Sequence, residues 1–150
     1  MTDREENARR IKDLCASQKL AVLCTQSDSQ PYASLMAFFV APDLKHLYLM
    51  TPKDTRKYKN LAANPRVAVL VTSSENQPSD FQQARAATVI GSATEVSGPS
   101  RRKLIERYIE KHPHLEDFAK SPSSALIQVT VETYVLVENF QQVSELHMEK

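Results

Sequence analysis

The sequence is poor in glycine, with two in 150 residues, and it contains no tryptophan. Two glycines cannot build the GxGxxG turn of a dinucleotide-binding βαβ unit, so a Rossmann site is excluded. Cysteine is equally scarce. Cys15 and Cys24 form no CxxC pair and each falls in an apolar stretch, so both read as reduced, buried thiols. The four histidines, His46, His112, His114 and His147, show no zinc spacing and no HExxH, and read as solvated loop side chains. Neither a nucleophile elbow nor a Ser-His-Asp order is present, which leaves hydrolase chemistry without support. The net charge of +1 gives no global basic field, which argues against nucleic acid as a partner. No apolar run is long enough to span a membrane. The opening MTDREENARR lacks the apolar segment of a secretion signal, so the expected location is cytoplasmic.

What remains is an ordinary globular composition, 41% hydrophobic, of a length that suits one domain over residues 1–150. Thr2 with Glu5 makes a capping box, and Ile11, Leu14 and Cys15 recur at helical spacing, which predicts a helix from Asp3 to Ser17. Strands are expected at Leu20–Thr25, Tyr32–Val40 and Leu44–Thr51, separated by a polar turn at Gln26–Gln30 and a Pro42-Asp43 turn. A short basic helix spans Asp54–Asn64 and ends before Pro65. Val67–Val71 is a β-branched, buried strand, Ser73–Gln83 a polar loop, and Ala86–Val96 a strand in which Gly91 marks a bulge or a close backbone approach. Leu104, Ile105, Tyr108 and Ile109 share one helical face, Pro113 stops that helix, and Phe118 anchors a further turn. Ala125–Glu138 alternates as the last and longest strand. The first three strands are joined too tightly for parallel crossovers. The expected class is mainly β, a six-stranded antiparallel barrel with packed helices.

The stretch TPKDTRKYKNL, Thr51–Leu61, carries the chemistry. It runs from a strand end into a helix. With Asp54 as cap, Thr55, Arg56 and Lys57 occupy the first turn. There the backbone N–H groups lack helical partners and carry the positive end of the dipole. Thr51 and Thr55 add hydroxyls, Arg56 a planar fork and Lys57 a point charge, together a set suited to a dianionic phosphate. Basic residues in a first turn oppose the dipole, so an anion would relieve them. The other reading is a solvated basic face; a nucleic-acid contact through Lys53, Arg56, Lys57 and Lys59 is disfavoured because Tyr58 reads as the helix's buried side.

The order PYASLMAF, LYLMTPKDTRKYKNLAANPRVAVLV, ARAATVIGSATEV resembles the FMN-binding split barrels related to pyridoxamine 5'-phosphate oxidase, over about Leu20 to Val96. The resemblance implies an FMN-binding split barrel in which Thr55, Arg56 and Lys57, with Thr51 beside them, grip the flavin phosphate. It implies that Ser34, Leu35 and Met36 pass along the flavin ring and that Leu49 and Met50 line the cofactor. It also implies a homodimer with FMN at the subunit interface, the partner contributing near Gln82, Gln83 and Arg85. Tyr32, Phe38, Phe39 and Tyr48 face either a flavin or the core, the core being favoured.

Three departures bear on activity. Ser34 stands where the oxidase has an arginine, Ala86 follows Arg85 where the oxidase has a glutamine, and VENFQQVSELHMEK does not resemble the oxidase C-terminus. The expectation is therefore an FMN-dependent oxidoreductase or electron carrier acting on a small-molecule substrate or electron donor, distinct from a true pyridoxamine phosphate oxidase. The flavin supplies the redox chemistry, and no side chain stands out as a general acid or base. Two alternatives stay open. One is a deazaflavin-dependent reductase. The other is a non-enzymatic flavin- or haem-binding module, with His147 as a conceivable haem ligand.

Overall fold

The computed structural model describes residues 1–139 and 141–149; Phe140 and Lys150, both in the VENFQQVSELHMEK segment, lie outside the described residues. Strands form where side chains alternate between core and surface. In β4 (Arg66–Thr72), Val67, Val69 and Val71 point inward while Arg66, Ala68 and Leu70 point outward. The other strands are β1 (Leu20–Ser27), β2 (Gln30–Val40), β3 (His46–Pro52), β5 (Ala86–Glu95), β6 (Ser124–Glu138) and β7 (Gln142–His147). All pairings are antiparallel, in the order β3-β2-β1-β4-β5-β6-β7, and β3 also pairs with β6. That last pairing closes six strands into the expected barrel. The strand β7 was not expected; it pairs with the second half of β6, beyond the point where β6 leaves β3.

Two helices plug the barrel. The helix α1 (Asp3–Ser17) starts as its capping box predicts, with Thr2 Oγ1 accepting from Glu5 N, and drives Ile11, Leu14 and Cys15 into one end of the barrel core. Burying a side chain of the Ile11 or Leu14 kind contributes about 1.5–3 kcal/mol. At the other end sits α2 (Arg56–Ala63), whose Leu61 joins the same core. Further along lie α3 (Asp80–Gln83), α4 (Arg101–Lys111), a 3₁₀ turn (Pro113–Leu115) and α5 (Glu116–Lys120). Ile105, Tyr108 and Ala119 of α4 and α5 cover Phe39, Tyr48, Met50 and Leu126 on the outside of β2, β3 and β6 in a second cluster. This explains why the first half of β6 is buried on both faces while its second half alternates. Among the described residues, no helix is long and apolar enough to cross a membrane.

Gly91 fulfils both readings of its position. The β5–β6 register shifts between Ile90 and Gly91, and a Cβ at Gly91 would lie 2.2 Å from the Thr130 carbonyl oxygen. Other local expectations need correction. The third strand begins at His46, because Leu44 takes a left-handed turn conformation (φ 65°) that points its side chain into the core while its carbonyl accepts from the buried Tyr134 hydroxyl at 2.7 Å. The Ser73–Gln83 loop contains the short α3. His112 is not a solvated loop residue. It ends α4, is 7% exposed, and its Nε2 lies 2.7 Å from the Phe38 carbonyl oxygen. His147 lies in β7 rather than in a loose tail. Cys15 is buried, whereas Cys24 is only half-buried, on the outer face of β1.

Among the described residues, no helix covers one outer face. Val22 pairs with Leu35 on β2 and with Leu70 on β4, and Cys24 lies between Ala33 and Ala68. Leu20, Leu35 and Leu70 on this face are 51%, 67% and 37% exposed.

Candidate functional site

The end of the barrel plugged by α2 carries the candidate site. The helix starts at Thr55, not at Asp54 as expected. Both residue types cap helices, but Thr55 has the extended backbone of a cap and its Oγ1 accepts from Tyr58 N at 3.3 Å. The choice is fixed by neighbours: Thr55 Oγ1 donates to the Pro52 carbonyl at 2.9 Å and lies 2.9 Å from Oγ1 of the fully buried Thr51. Arg56 and Lys57 are then the first two helical residues, and the first turn holds no acidic residue. At its far end α2 closes with Asn64, whose N–H bonds the Asn60 carbonyl, before Pro65. Buried Asn60 anchors the helix to the barrel wall by donating to Thr25 Oγ1 at 3.0 Å.

Charge around this helix start is unevenly matched. Lys53 lies 4.0 Å from Glu95, and the same carboxylate accepts from the Tyr58 hydroxyl at 2.5 Å. Arg56 lies over the Tyr32 ring, 5.1 Å from its centroid. Among the described residues, no carboxylate pairs with Arg56 or Lys57. The helix thus opens on two uncompensated cations and on backbone N–H groups that have no helical acceptor.

Beside it the barrel is split. The β2–β3 ladder consists of Val40–Leu47, Phe39–Tyr48 and Phe38–Leu49 and goes no further. Yet β2 continues to Gln30 along β1, and β3 continues to Pro52 along β6. The facing edges of Ser34–Ala37 and Met50–Pro52 therefore border an open seam that runs toward Thr55.

The expected site residues divide into three groups. Thr51, Thr55, Arg56 and Lys57 gather at the seam's end. Ser34, Leu35 and Met36 follow its β2 edge, with Leu35 turned to the uncovered outer face and Met36 into the barrel. On β3, Met50 borders the seam and Leu49 is the last residue paired with β2 before it opens; their side chains lie in the two cores, so only the Met50 backbone faces the seam. Gln82, Gln83 and Arg85 are not brought to the site within one chain. They follow β4 at the end of the barrel capped by α1, about 20 Å from α2 at the usual rise along a seven-residue strand. Three of the four aromatics, Phe38, Phe39 and Tyr48, are core, and Tyr32 lines the site's edge. Sequence reasoning missed the Asn60–Thr25 anchor and Glu95, which draws Lys53 aside. An amide on the otherwise apolar face of a helix was the only available signal for the first.

The class of protein is set by the closed six-strand barrel, its seam and the basic helix start together: the chain matches the pyridoxamine 5'-phosphate oxidase family over residues 8–138, and it belongs to that family. No curated protein sequence matches it. Among solved structures it is similar to a heme-binding protein from Mycobacterium smegmatis, at 15% identity and a TM-score of 0.84. That match covers 98% of this chain but 59% of the other, so the chain spans about three-fifths of that protein. It is also similar to General Stress Protein 26 from Bacillus anthracis str. Sterne, at 20% identity, 95% and 99% coverage and a TM-score of 0.75. A third is an FAD-binding protein from Mesorhizobium loti, at 20% identity, 92% and 90% coverage and a TM-score of 0.67. At these identities the likeness concerns the fold.

Proposed function

We propose that the protein binds FMN with its terminal phosphate at the start of α2, and that it works as a homodimeric flavin-dependent oxidoreductase or electron carrier on a small substrate. The observation that carries this reading is the first turn of α2, where Arg56 and Lys57 stand without carboxylate partners at the end of the open seam. The donor set fits a phosphate monoester. It comprises the Arg56 fork, the Lys57 point charge and first-turn backbone N–H groups, while the Thr51 and Thr55 hydroxyls, engaged with the Pro52 carbonyl and each other, hold the helix start in place. Ser34, Leu35 and Met36 would border the ring from β2, and Met50 would do so through its backbone, with Leu49 closing the seam's end where β2 and β3 pair. Gln82, Gln83 and Arg85 would come from a second copy. Two observations support that copy: these residues lie at the opposite end of their own barrel, and the face bearing Leu20, Leu35 and Leu70 is left apolar and uncovered.

When bound, the flavin supplies the hydride or electron transfer. The chain holds the phosphate, orients the ring along the seam and, with a second copy, keeps water from it. Ser34 in place of the oxidase's arginine argues against pyridoxamine phosphate as the substrate.

The spectrum and mass of the small molecule that co-purifies test the reading; oxidised FMN shows two visible bands that a deazaflavin does not. Replacing Arg56 and Lys57 together by alanine should weaken FMN binding by about 10²–10⁴-fold, taking about 1.5–3 kcal/mol for each of the two charge-assisted hydrogen bonds to phosphate. Folding without FMN should change little. Unaltered affinity would remove the phosphate from this site.

A non-enzymatic flavin carrier or sensor is the second reading, favoured because, among the described residues, the seam edges Ser34–Ala37 and Met50–Pro52 hold no carboxylic acid or imidazole. Failure of the flavin-loaded protein to react with nicotinamide donors or dioxygen would select it. A haem ligand role for His147 would require freeing one ring nitrogen, Nε2 from Glu145 at 3.4 Å or Nδ1 from Thr133 Oγ1 at 3.1 Å.

A further inference from the structure

A second concave site lies at the other end of the β2–β3 hairpin from the seam. The helices α1 and α4 flank the Ala41–Leu44 turn and enclose about 410 Å³. That is within the usual size of small-ligand sites, roughly 300–1,000 Å³. The floor is apolar, with Phe39 and Leu44 lining it. The walls are basic: Lys12 on α1 and Arg107 and Lys111 on α4, against a single carboxylate, Glu110. Among the described residues, none of these four groups takes part in an ion pair.

Two of the cations are nevertheless held in place. Lys111 Nζ donates to the Cys15 carbonyl at 3.1 Å and lies 4.0 Å from the Phe38 ring centroid. The Arg107 guanidinium lies 5.5 Å from the Phe39 ring centroid. Aromatic faces and carbonyls direct a cation without cancelling its charge. Burial also pulls the Lys111 ammonium down to about 8, a cost that a nearby anion would offset.

The plainer reading is that Lys111 ties α4 to α1. Arg107 likewise reaches from α4 to the Phe39 ring of β2, but neither contact cancels a charge, and neither accounts for Lys12 on the same cavity. The geometry points to a binding site for a small organic anion, a carboxylate or related acid on an aromatic or branched apolar body. The body rests on Phe39 and Leu44, and the acid group faces Lys12, Arg107 and Lys111. The site shares no residue with the proposed flavin site and goes beyond it.

The probe is 2-naphthoate, titrated calorimetrically into the full-length protein at low salt, with 2-naphthamide as the uncharged control. The comparison variant is Lys12→Glu/Arg107→Glu. Both side chains are exposed, so its melting temperature should match that of the parent; should it not fold, Lys12→Gln/Arg107→Gln replaces it. The expected result is saturable binding of one naphthoate per chain, weakened at least about tenfold in the variant, with the amide at least about tenfold weaker on the parent. Saturating FMN should leave naphthoate affinity unchanged. The inference is overturned by no saturable binding up to about 10 mM, by equal affinity in the variant, by equal binding of the amide, or by competition from FMN. Because FMN binding is measured on the same variants, loss of one site is distinguishable from loss of the other.

Discussion

Thr55 joins the fold of the barrel end to the chemistry proposed for it, and Thr55→Val separates the two while nearly preserving shape. The hydroxyl accepts from Tyr58 N at 3.3 Å, donates to the Pro52 carbonyl at 2.9 Å and lies 2.9 Å from Thr51 Oγ1. Losing a helix cap costs about 1 kcal/mol, and losing a neutral hydrogen bond costs about 1 kcal/mol more. Water reaches the open start of α2 and recovers part of this, so the net loss should be about 1.5–2 kcal/mol. A chain of this size loses about 2–4 °C per kcal/mol, which gives a melting temperature lower by about 3–8 °C in the cofactor-free protein. Thr55→Ser keeps the donor and the acceptor and should restore most of the difference. The functional arm is a fluorescence titration with FMN, in which the valine variant should bind at least about tenfold more weakly. A valine variant that melts within about 1 °C of the parent would refute the capping argument. One that is destabilised as expected but binds FMN normally would show that the hydroxyl serves the helix alone and refute its part in binding.

Other consequences can be checked directly. Gly91→Ala should lower stability by about 2 kcal/mol or more in urea unfolding, because the new Cβ meets the backbone oxygen of Thr130 rather than a side chain that could move aside. Stability should fall as pH drops below the ordinary histidine value of 6.5, because burial depresses the His112 pKa despite its bond to the Phe38 carbonyl, and the unfolded chain then binds the proton more tightly. The urea midpoint followed from pH 7.5 to 5 should show this slope (about those limits), and His112→Gln should flatten it. Leu35→Glu with Leu70→Glu should convert the proposed dimer to monomers in sedimentation. In those monomers a thiol reagent should modify Cys24, on the opened face, while Cys15 stays silent, its thiol pushed up to about 12 by burial.

How far such features could be read beforehand depended on whether their cause was local. The Thr2 cap of α1 and the bulge at Gly91 follow from spacing and from what one residue type permits, and each is found where the sequence placed it, whereas Val67–Val71 read as a strand buried throughout and proves buried on one face only, Leu70 being exposed. The misplaced cap shows the limit. Asp54 is the better cap in isolation, and the Pro52 carbonyl and buried Thr51 beside Thr55 reverse that preference. His112 read as a loop residue because Pro113 follows it, whereas a carbonyl 74 positions earlier draws its ring inside. The strand β7 escaped because only Leu146 of its six residues is buried, so it carries almost no hydrophobic period. The candidate site divides along the same line. Its basic end is contiguous, Thr51 to Lys57, and the gathering of those residues at a helix start was legible from helix chemistry. The seam exists because β3 stays with β6 while β2 stays with β1, a parting between strands that no stretch of either sequence records. Gln82, Gln83 and Arg85 extend the point: within one chain they stand at the far end of the barrel, so any part proposed for them would depend on a second molecule laying that end against this one's open face.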